Sequence, residues 1–382
     1  MDPKSGGPCQ GIRNITPELD ALNIATEILS FDEPGSDFDD GNKLTIHRIG
    51  PFVGPYGYCK NLKSWLLSNF SRFDAILIHG LWQYNSFGTL WSLRRIKASG
   101  AKIPKIYVIP HGMLDPYFQN AKDRRLKAIR NYIFWWLFER KVINESDGVL
   151  FTCEEELLLA KNTFKGYQPK KEVNIGYGIR EVPDYTSAMR NSFNDSISLP
   201  EGKSFILFLS RIHLKKGVDL LVSAYLDLKA KGHELPDLVI AGPGLDSPFG
   251  KRVVKLANFD DQIHFPGMLS GLSKWGAFHG CEAFILPSHQ ENFGISVVEA
   301  LACGKPVLIS NQVNIWREIE DGGGGIVEED NYEGVVRMLN KWNSLSEEIK
   351  HTNSLSARNI YLNHFDISKS SLNFRKFLES EI

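Results

Sequence analysis

Strand-length apolar runs recur along this chain, separated by helix-length stretches with Gly or Pro punctuation, and they fall into two series. The first series covers 25–31, 44–49, 75–79, 105–109 and 148–151, and the second covers 205–209, 237–241, 262–265, 283–286 and 306–309. Runs that are apolar without strict alternation suit strands buried on both faces, which is the condition of parallel sheets covered by helices. The pattern therefore predicts an α/β chain of two Rossmann-like, doubly wound parallel-sheet domains. Between the series lies REVPDYTSAMRNSFNDSISLPEGKS, 180–204, polar and without strong periodicity, which reads as an inter-domain linker. The expected domains are 1–181 and 182–353. A helical segment, 354–382, is expected to cross back to the first domain on Ile360, Leu362, Phe365, Ile367, Leu372, Phe374 and Phe377. The run Gly322 to Gly325 reads as a glycine turn.

Composition narrows the function. The chain has 382 residues, 42% of them hydrophobic, enough for two cores. With 44 basic and 45 acidic residues the net charge is -1, which supplies no global field for holding nucleic acid or an anionic bilayer. The five cysteines, Cys9, Cys59, Cys153, Cys281 and Cys303, include no C-x-x-C pair and read as reduced thiols of a cytoplasmic protein, without a disulfide framework or zinc knuckle. No apolar run reaches the roughly 18 residues that span a bilayer, and MDPKSGGPCQ at the start lacks the apolar core of a signal peptide.

Two such domains are expected to set the carboxyl ends of their strands opposite each other, with ligand between them. Three groups of residues bear on that ligand. In AFILPSHQENFGISVVEALACGKPVLIS, 283–310, a strand ends near Pro287, a polar loop carries Glu291, and Phe293-Gly294 opens a helix that contains Glu299. A glycine at a helix start exposes backbone N–H groups, and the helix dipole favours an anion there. Two carboxylates beside it suit paired sugar hydroxyls, although a capping acid and a solvated helix residue explain the same spacing equally well. In FILFLSRIHLKKGVDLL, 205–221, Arg211, Lys215 and Lys216 crowd the loop after a strand, where they either meet phosphate or form a solvated basic turn. In the first half, His111 follows the strand 105–109, and His79 ends the strand 75–79 just before Trp82; taken alone they read first as structural histidines and a core tryptophan, and second as groups facing the ligand. Ser5-Gly6-Gly7 precedes a helix expected near 9–22, a glycine loop able to approach phosphate or sugar.

Taken in order, SGGP, IHGLW, IPHGMLDP, LSRIHLKKGVDLL, VIAGPG, HFPGML and HQENFGISVVEALACGKPV resemble the family-4 retaining glycosyltransferases of the GT-B fold. The E-x7-E spacing of Glu291 and Glu299 is the most specific element of that resemblance. The resemblance implies transfer of a sugar from a nucleoside-diphosphate donor to a glycan or lipid-linked acceptor, with anomeric retention. A UDP-sugar, UDP-glucose first, is the implied donor, and envelope or exopolysaccharide assembly the implied setting. By the same resemblance Arg211 and Lys216 hold the diphosphate, Glu291 and the backbone of Asn292, Phe293, Gly294 and Ile295 contact the sugar, and Glu299 binds the ribose. His111 then lies near the reacting side of the sugar, Gly7 approaches diphosphate or sugar, and Met268 offers backbone atoms to the base.

No metal and no cofactor are expected, since two cations and a helix N-terminus can stabilise a leaving diphosphate. The one D-x-D, Asp37-Phe38-Asp39, sits among turn residues. Rival readings are a sugar-nucleotide epimerase or phosphorylase of the same fold and a non-catalytic sugar-nucleotide-binding subunit. Arg124-Arg125-Leu126-Lys127 followed by Tyr132 to Phe138 reads first as a buried helix with a basic lead-in. Docking of that helix on the inner face of the membrane is the second reading. The sequence departs from the family's pattern at Ser210, at NIGYGIR, and before Ser5, where no apolar strand precedes the glycine loop. The expectation drawn from the last is that the natural chain begins upstream with such a strand.

Overall fold

The computed structural model describes residues 1, 7–36, 44–121, 124–197, 199, 202–258 and 260–382. Asp37 to Asp39, Ser5 and Gly6 lie outside the described residues. The chain divides into two compact units, one formed by Met1–Gly178 with Ile367–Ile382 and the other by Ile179–Asp366.

The first unit holds strands β1 (Glu27–Ser30), β2 (Thr45–Arg48), β3 (Ala75–His79), β4 (Lys105–Ile109), β5 (Gly148–Phe151) and β6 (Glu172–Asn174). β1 and β2 form a parallel pair, and β3-β4-β5-β6 form a parallel sheet in that order. Successive side chains of a strand face opposite ways, so each strand feeds two cores. Ile106 and Val108 join Val149 and Phe151 on one face, while Tyr107 and Ile109 join Leu150 on the other. The first face is covered from the helix Tyr84–Ala98 and by Trp135, Val142 and Ile143, and the second by Leu19, Phe374 and Phe377. Burial on both sides is why these strands read as continuous apolar runs rather than as alternating ones. β6 escaped the sequence reading because EVN is three residues long with two polar side chains.

The stretch expected to be a buried helix is a two-faced one. Arg125–Phe134 is α-helical, Trp135–Glu139 forms a π turn, and Arg140–Glu145 resumes the α-helix. Ala128, Asn131, Trp135 and Glu139 face inward, whereas Leu126, Ile129, Tyr132, Ile133, Trp136 and Leu137 are exposed. Burial of every large apolar residue here is therefore corrected. With Ala128 and Asn131 fixing the inward face, a residue two or five positions away cannot also reach the core.

The second unit contains one parallel sheet of β7 (Phe205–Leu209), β8 (Asp237–Ala241), β9 (Ile263–Gly267), β10 (Ala283–Leu286), β11 (Val307–Ser310) and β12 (Gly325–Glu328). Its order is β12-β11-β10-β7-β8-β9, the doubly wound order in which the chain reverses its direction of travel between β7 and β10. The glycine turn proves to be the entry to β12, where a Cβ on Gly325 would lie 1.8 Å from the Val307 carbonyl oxygen. The expected linker also holds structure. Thr186 caps the helix Ser187–Asn194, whose Met189 and Phe193 are buried against the helix Gly271–Gly280. Two apolar anchors in eight residues are too few to show as periodicity, so tertiary packing decides this helix.

The closing segment divides at Asp366. The helix Glu347–Ile360 and the π turn Tyr361–Phe365 belong to the second unit, and the helix Ile367–Glu381 belongs to the first. Leu362 and Leu372, expected as anchors, are exposed, while Phe365 and Phe374 are buried. Among the described residues no helix is long and apolar enough to cross a membrane.

Candidate functional site

In a doubly wound sheet the loops leaving the two strands at the reversal point splay apart and open a crevice at their carboxyl ends. Here those are the loops after β7 and after β10. The first carries Arg211, Lys215 and Lys216, and the second carries Ser288, His289 and Glu291.

Gly217 brings the two loops into backbone contact. It takes φ +65°, and a Cβ there would sit 2.0 Å from the Pro287 carbonyl oxygen. Only glycine satisfies both conditions. The Lys215 carbonyl then accepts from the His289 N–H at 2.8 Å and from Ser288 Oγ at 3.0 Å. Glu291 is clamped in turn, its N–H donating to Gln312 O and its carbonyl accepting from Asn314 N–H, both at 2.9 Å. These bonds set the Glu291 carboxylate against the Lys216 ammonium in a direct ion pair.

Lys216 is only 6% exposed. Burial, with Lys215 and Arg211 nearby, presses its ammonium down to about 7, and the Glu291 carboxylate opposes this by favouring the charged form. The direct ion pair keeps Lys216 a buried, charged donor held by Glu291. Arg211 is exposed and has no ion pair among the described residues.

Gly294, at φ +72°, ends the second loop and begins the helix Ile295–Ala302. Phe293 turns inward, edge-on to Phe365 at 5.6 Å, and so ties the helix start to the core. Asn292 Oδ1 accepts from Asn314 Nδ2 at 3.4 Å. Glu299 is not a solvated helix residue: its carboxylate is 14% exposed and accepts from Lys274 Nζ at 2.5 Å. Burial raises its pKa and Lys274 opposes the rise. The two carboxylates thus answer to different cations, Glu291 to Lys216 and Glu299 to Lys274. Met268 is exposed on the loop after β9.

Sequence reasoning missed Lys274, hidden in the helix Gly271–Gly280 with no motif around it. It also passed over His289, whose Nδ1 lies 2.9 Å from Asp330 Oδ2. That hydrogen bond raises the imidazole pKa.

In the first unit His111 follows β4 with φ +52°, and its Nε2 lies 2.9 Å from Nδ1 of His79, the last residue of β3. Burial lowers His79 to about 4, and burial with His79 beside it lowers His111 to about 3. The pair is therefore neutral at physiological pH, one ring donating and the other accepting. The next residue, Gly112, donates its N–H to the buried Glu156 carboxylate, which also accepts from the Thr152 N–H and hydroxyl. Gly7 is the first residue of the helix Gly7–Ala21, and its carbonyl accepts from Tyr177 Oη at 3.4 Å. Trp82, expected in the core, is partly buried with φ +70° and packs 5.5 Å from Phe164.

The crevice, with buried cation, paired carboxylates and glycine-led helix, coincides with a family match. Residues 189–358 fit the family described as glycosyl transferases, group 1. A D-inositol 3-phosphate glycosyltransferase of Arthrobacter sp. (strain FB24) is 30% identical over 151 residues, covering 37% of this chain and 35% of that protein. The chain spans 35%, 45% and 28% of the lengths of the first three curated relatives it matches.

Solved structures extend the likeness in fold to the whole chain. A sucrose-phosphate synthase from Thermosynechococcus elongatus superimposes with TM-score 0.76 at 17% identity, over 98% of this chain and 94% of that one. Anabaena HepE, solved with UDP and glucose, gives TM-score 0.70 at 15% identity, over 98% and 96%. The segment that fits that family thus sits in a chain with the two-domain GT-B fold.

Proposed function

We propose that this protein is a retaining glycosyltransferase that moves a hexose from a UDP-sugar, UDP-glucose first, to a glycan or lipid-linked acceptor. Envelope or exopolysaccharide assembly is the setting that suits such an acceptor. The observation that carries the reading is the buried Lys216 held against Glu291 where the sheet reverses, with Arg211 on the same loop. UDP and glucose in the HepE structure support the choice of donor.

In this reading Arg211 and Lys216 receive the negative charge that grows on the diphosphate as the anomeric bond breaks. The N–H groups from Asn292 to Ile295 meet the donor, whose sugar hydroxyls donate to Glu291 and whose ribose hydroxyls donate to Glu299. His111, held neutral by burial and His79, serves as a hydrogen-bonding group toward the sugar rather than as a cation. Two cations and a helix N-terminus meet the need for charge stabilisation, so no metal enters the proposed mechanism.

Activity assays test it directly. With acceptor present, the protein should convert UDP-glucose to UDP and a glycosylated product, in chelator as well as in buffer. Arg211→Ala and Lys216→Ala should each lower turnover about 10²- to 10³-fold, the usual cost of one lost donor to transition-state charge. Conversion of the donor without acceptor into another sugar nucleotide would favour the epimerase reading, and phosphate-dependent cleavage the phosphorylase reading. UDP binding without turnover would favour the non-catalytic subunit.

A further inference from the structure

A solvated helix face is normally polar, and a contiguous exposed apolar patch marks a surface that meets something else. The outward face of Arg125–Phe134 and its π turn breaks that pattern. Leu126 is 85% exposed, Ile133 53% and Leu137 55%, and with Ile129 they recur at the three- and four-residue spacing of one helix face. Trp136 is also exposed, with the Arg140 guanidinium 4.5 Å from its ring. The patch continues onto a neighbouring loop. Tyr56 packs its ring 5.3 Å from Phe134 and 5.7 Å from Phe138, and Phe52, Val53 and Tyr58 around it are exposed.

Charge identifies the occupant. Arg125, Lys127, Arg130 and Lys141 are exposed around the apolar stripe, and none is paired with a carboxylate among the described residues. The one acid from 124 to 141 is Glu139, which is buried. A chain of net charge -1 therefore concentrates cations around this exposed apolar face. A second copy of the chain is a poor occupant, because a two-fold contact through this face would set these cations against their own counterparts. An anionic bilayer surface satisfies both halves of the pattern, accepting apolar side chains at headgroup depth and offering phosphates to the basic ones.

We propose that this face of the first unit docks on anionic lipid, with Leu126, Ile129, Ile133 and Leu137 entering the headgroup region and Arg125, Lys127, Arg130 and Lys141 meeting lipid phosphates. The inference stands on unit 1 alone and does not depend on the transferase reading.

Sedimentation of the full chain with vesicles of phosphatidylglycerol and phosphatidylcholine, and with phosphatidylcholine alone, tests it. The protein should bind the anionic vesicles, and added salt should weaken the binding. Arg125→Glu with Arg130→Glu should lower the partition coefficient by at least about 25-fold, taking about fivefold per lost charge. Leu126→Ser with Ile133→Ser should lower it about tenfold or more, because two aliphatic side chains no longer leave water. All four positions are exposed, so both variants should keep the wild-type melting temperature and UDP affinity. Equal binding to both vesicle types, no binding to the anionic ones, or variants that bind like wild type would each overturn the proposal. A lipid-free, concentration-dependent dimer abolished by the serine pair would overturn it too, and assign the face to a second copy.

Discussion

Lys216 is 6% exposed and buried lysines lose their charge easily, so its state depends on what lies beside it. Burial and two neighbouring cations press its ammonium down to about 7, and the Glu291 carboxylate in direct contact opposes them. Glu291→Gln keeps the side chain's size and removes the opposing charge. Losing that carboxylate lowers the lysine's pKa, so in the variant the charge is lost at a lower pH than in wild type. The variant should therefore bind UDP normally near pH 6 and lose affinity as pH rises to 8.5, whereas wild type should show a flatter profile by calorimetry. Glu139 gives the opposite sign. Burial lifts its pKa to about 7, its Oε1 accepts from the Trp82 N–H and Ser86 hydroxyl, and its Oε2 has no partner among the described residues. Between the unfolded value of 4.5 and 7 the native state binds the extra proton, so this residue's contribution to stability is lost as pH rises through that window. Glu139→Gln should match wild type at pH 5 and be more stable at pH 8, by on the order of 2 kcal/mol in denaturant titrations. Neither state was legible in the sequence, because both depend on burial by residues distant in the chain.

Elements were more legible than residues, and the loops between them least. Gly217 joins both scales, since its backbone conformation and its contact with Pro287 O align the two loops of the crevice. Gly217→Ala should cost about 1 to 3 kcal/mol of stability through strain at positive φ. It should also weaken UDP binding, because Lys216 moves with the loop, and a variant that loses stability alone would separate the loop contact from ligand binding. β3, β4, β5, β7, β8 and β10 were readable to the residue, because burial on both faces writes a continuous apolar run. β6 and β12 were not, one being mostly polar and the other beginning inside a run of glycines. The helix Ser187–Asn194 was hidden in a polar segment for the same physical reason, its stability coming from packing on the helix Gly271–Gly280. Met189→Ala should lower the stability of the second unit by about 2 to 5 kcal/mol in thermal melts, as expected for a buried methionine rather than for a linker residue. Glu291 and Glu299 were found by their spacing, whereas Lys274, the cation that Glu299 answers to, sits on the helix Gly271–Gly280, which no motif in the sequence marked.

At the scale of the whole molecule, the chain passes between its two units twice, near 178 and near 366. The second passage returns Ile367–Glu381 to the first unit, where Phe374 is buried and Phe377 meets the Tyr107 ring edge-on at 5.0 Å. Lys171 and the Tyr107 hydroxyl both engage Glu381 near the end of the same helix. Phe374 follows the proposed donor-binding residues in the chain, yet its contacts belong to the core of the first unit. Phe374→Ala should therefore destabilise the first unit by about 3 to 5 kcal/mol, the usual cost of emptying a buried aromatic site. The residues proposed to hold the diphosphate and ribose, Arg211, Lys216 and Glu299, lie in the second unit and share no core cluster with Phe374. UDP at about 100 times its dissociation constant should then add about 2.7 kcal/mol to the second unit in wild type and variant alike. Calorimetry of the two proteins with and without UDP separates the effects. The mutation should lower one transition and the nucleotide should raise the other, and a variant whose UDP affinity fell with its stability would show that the two cores unfold as one.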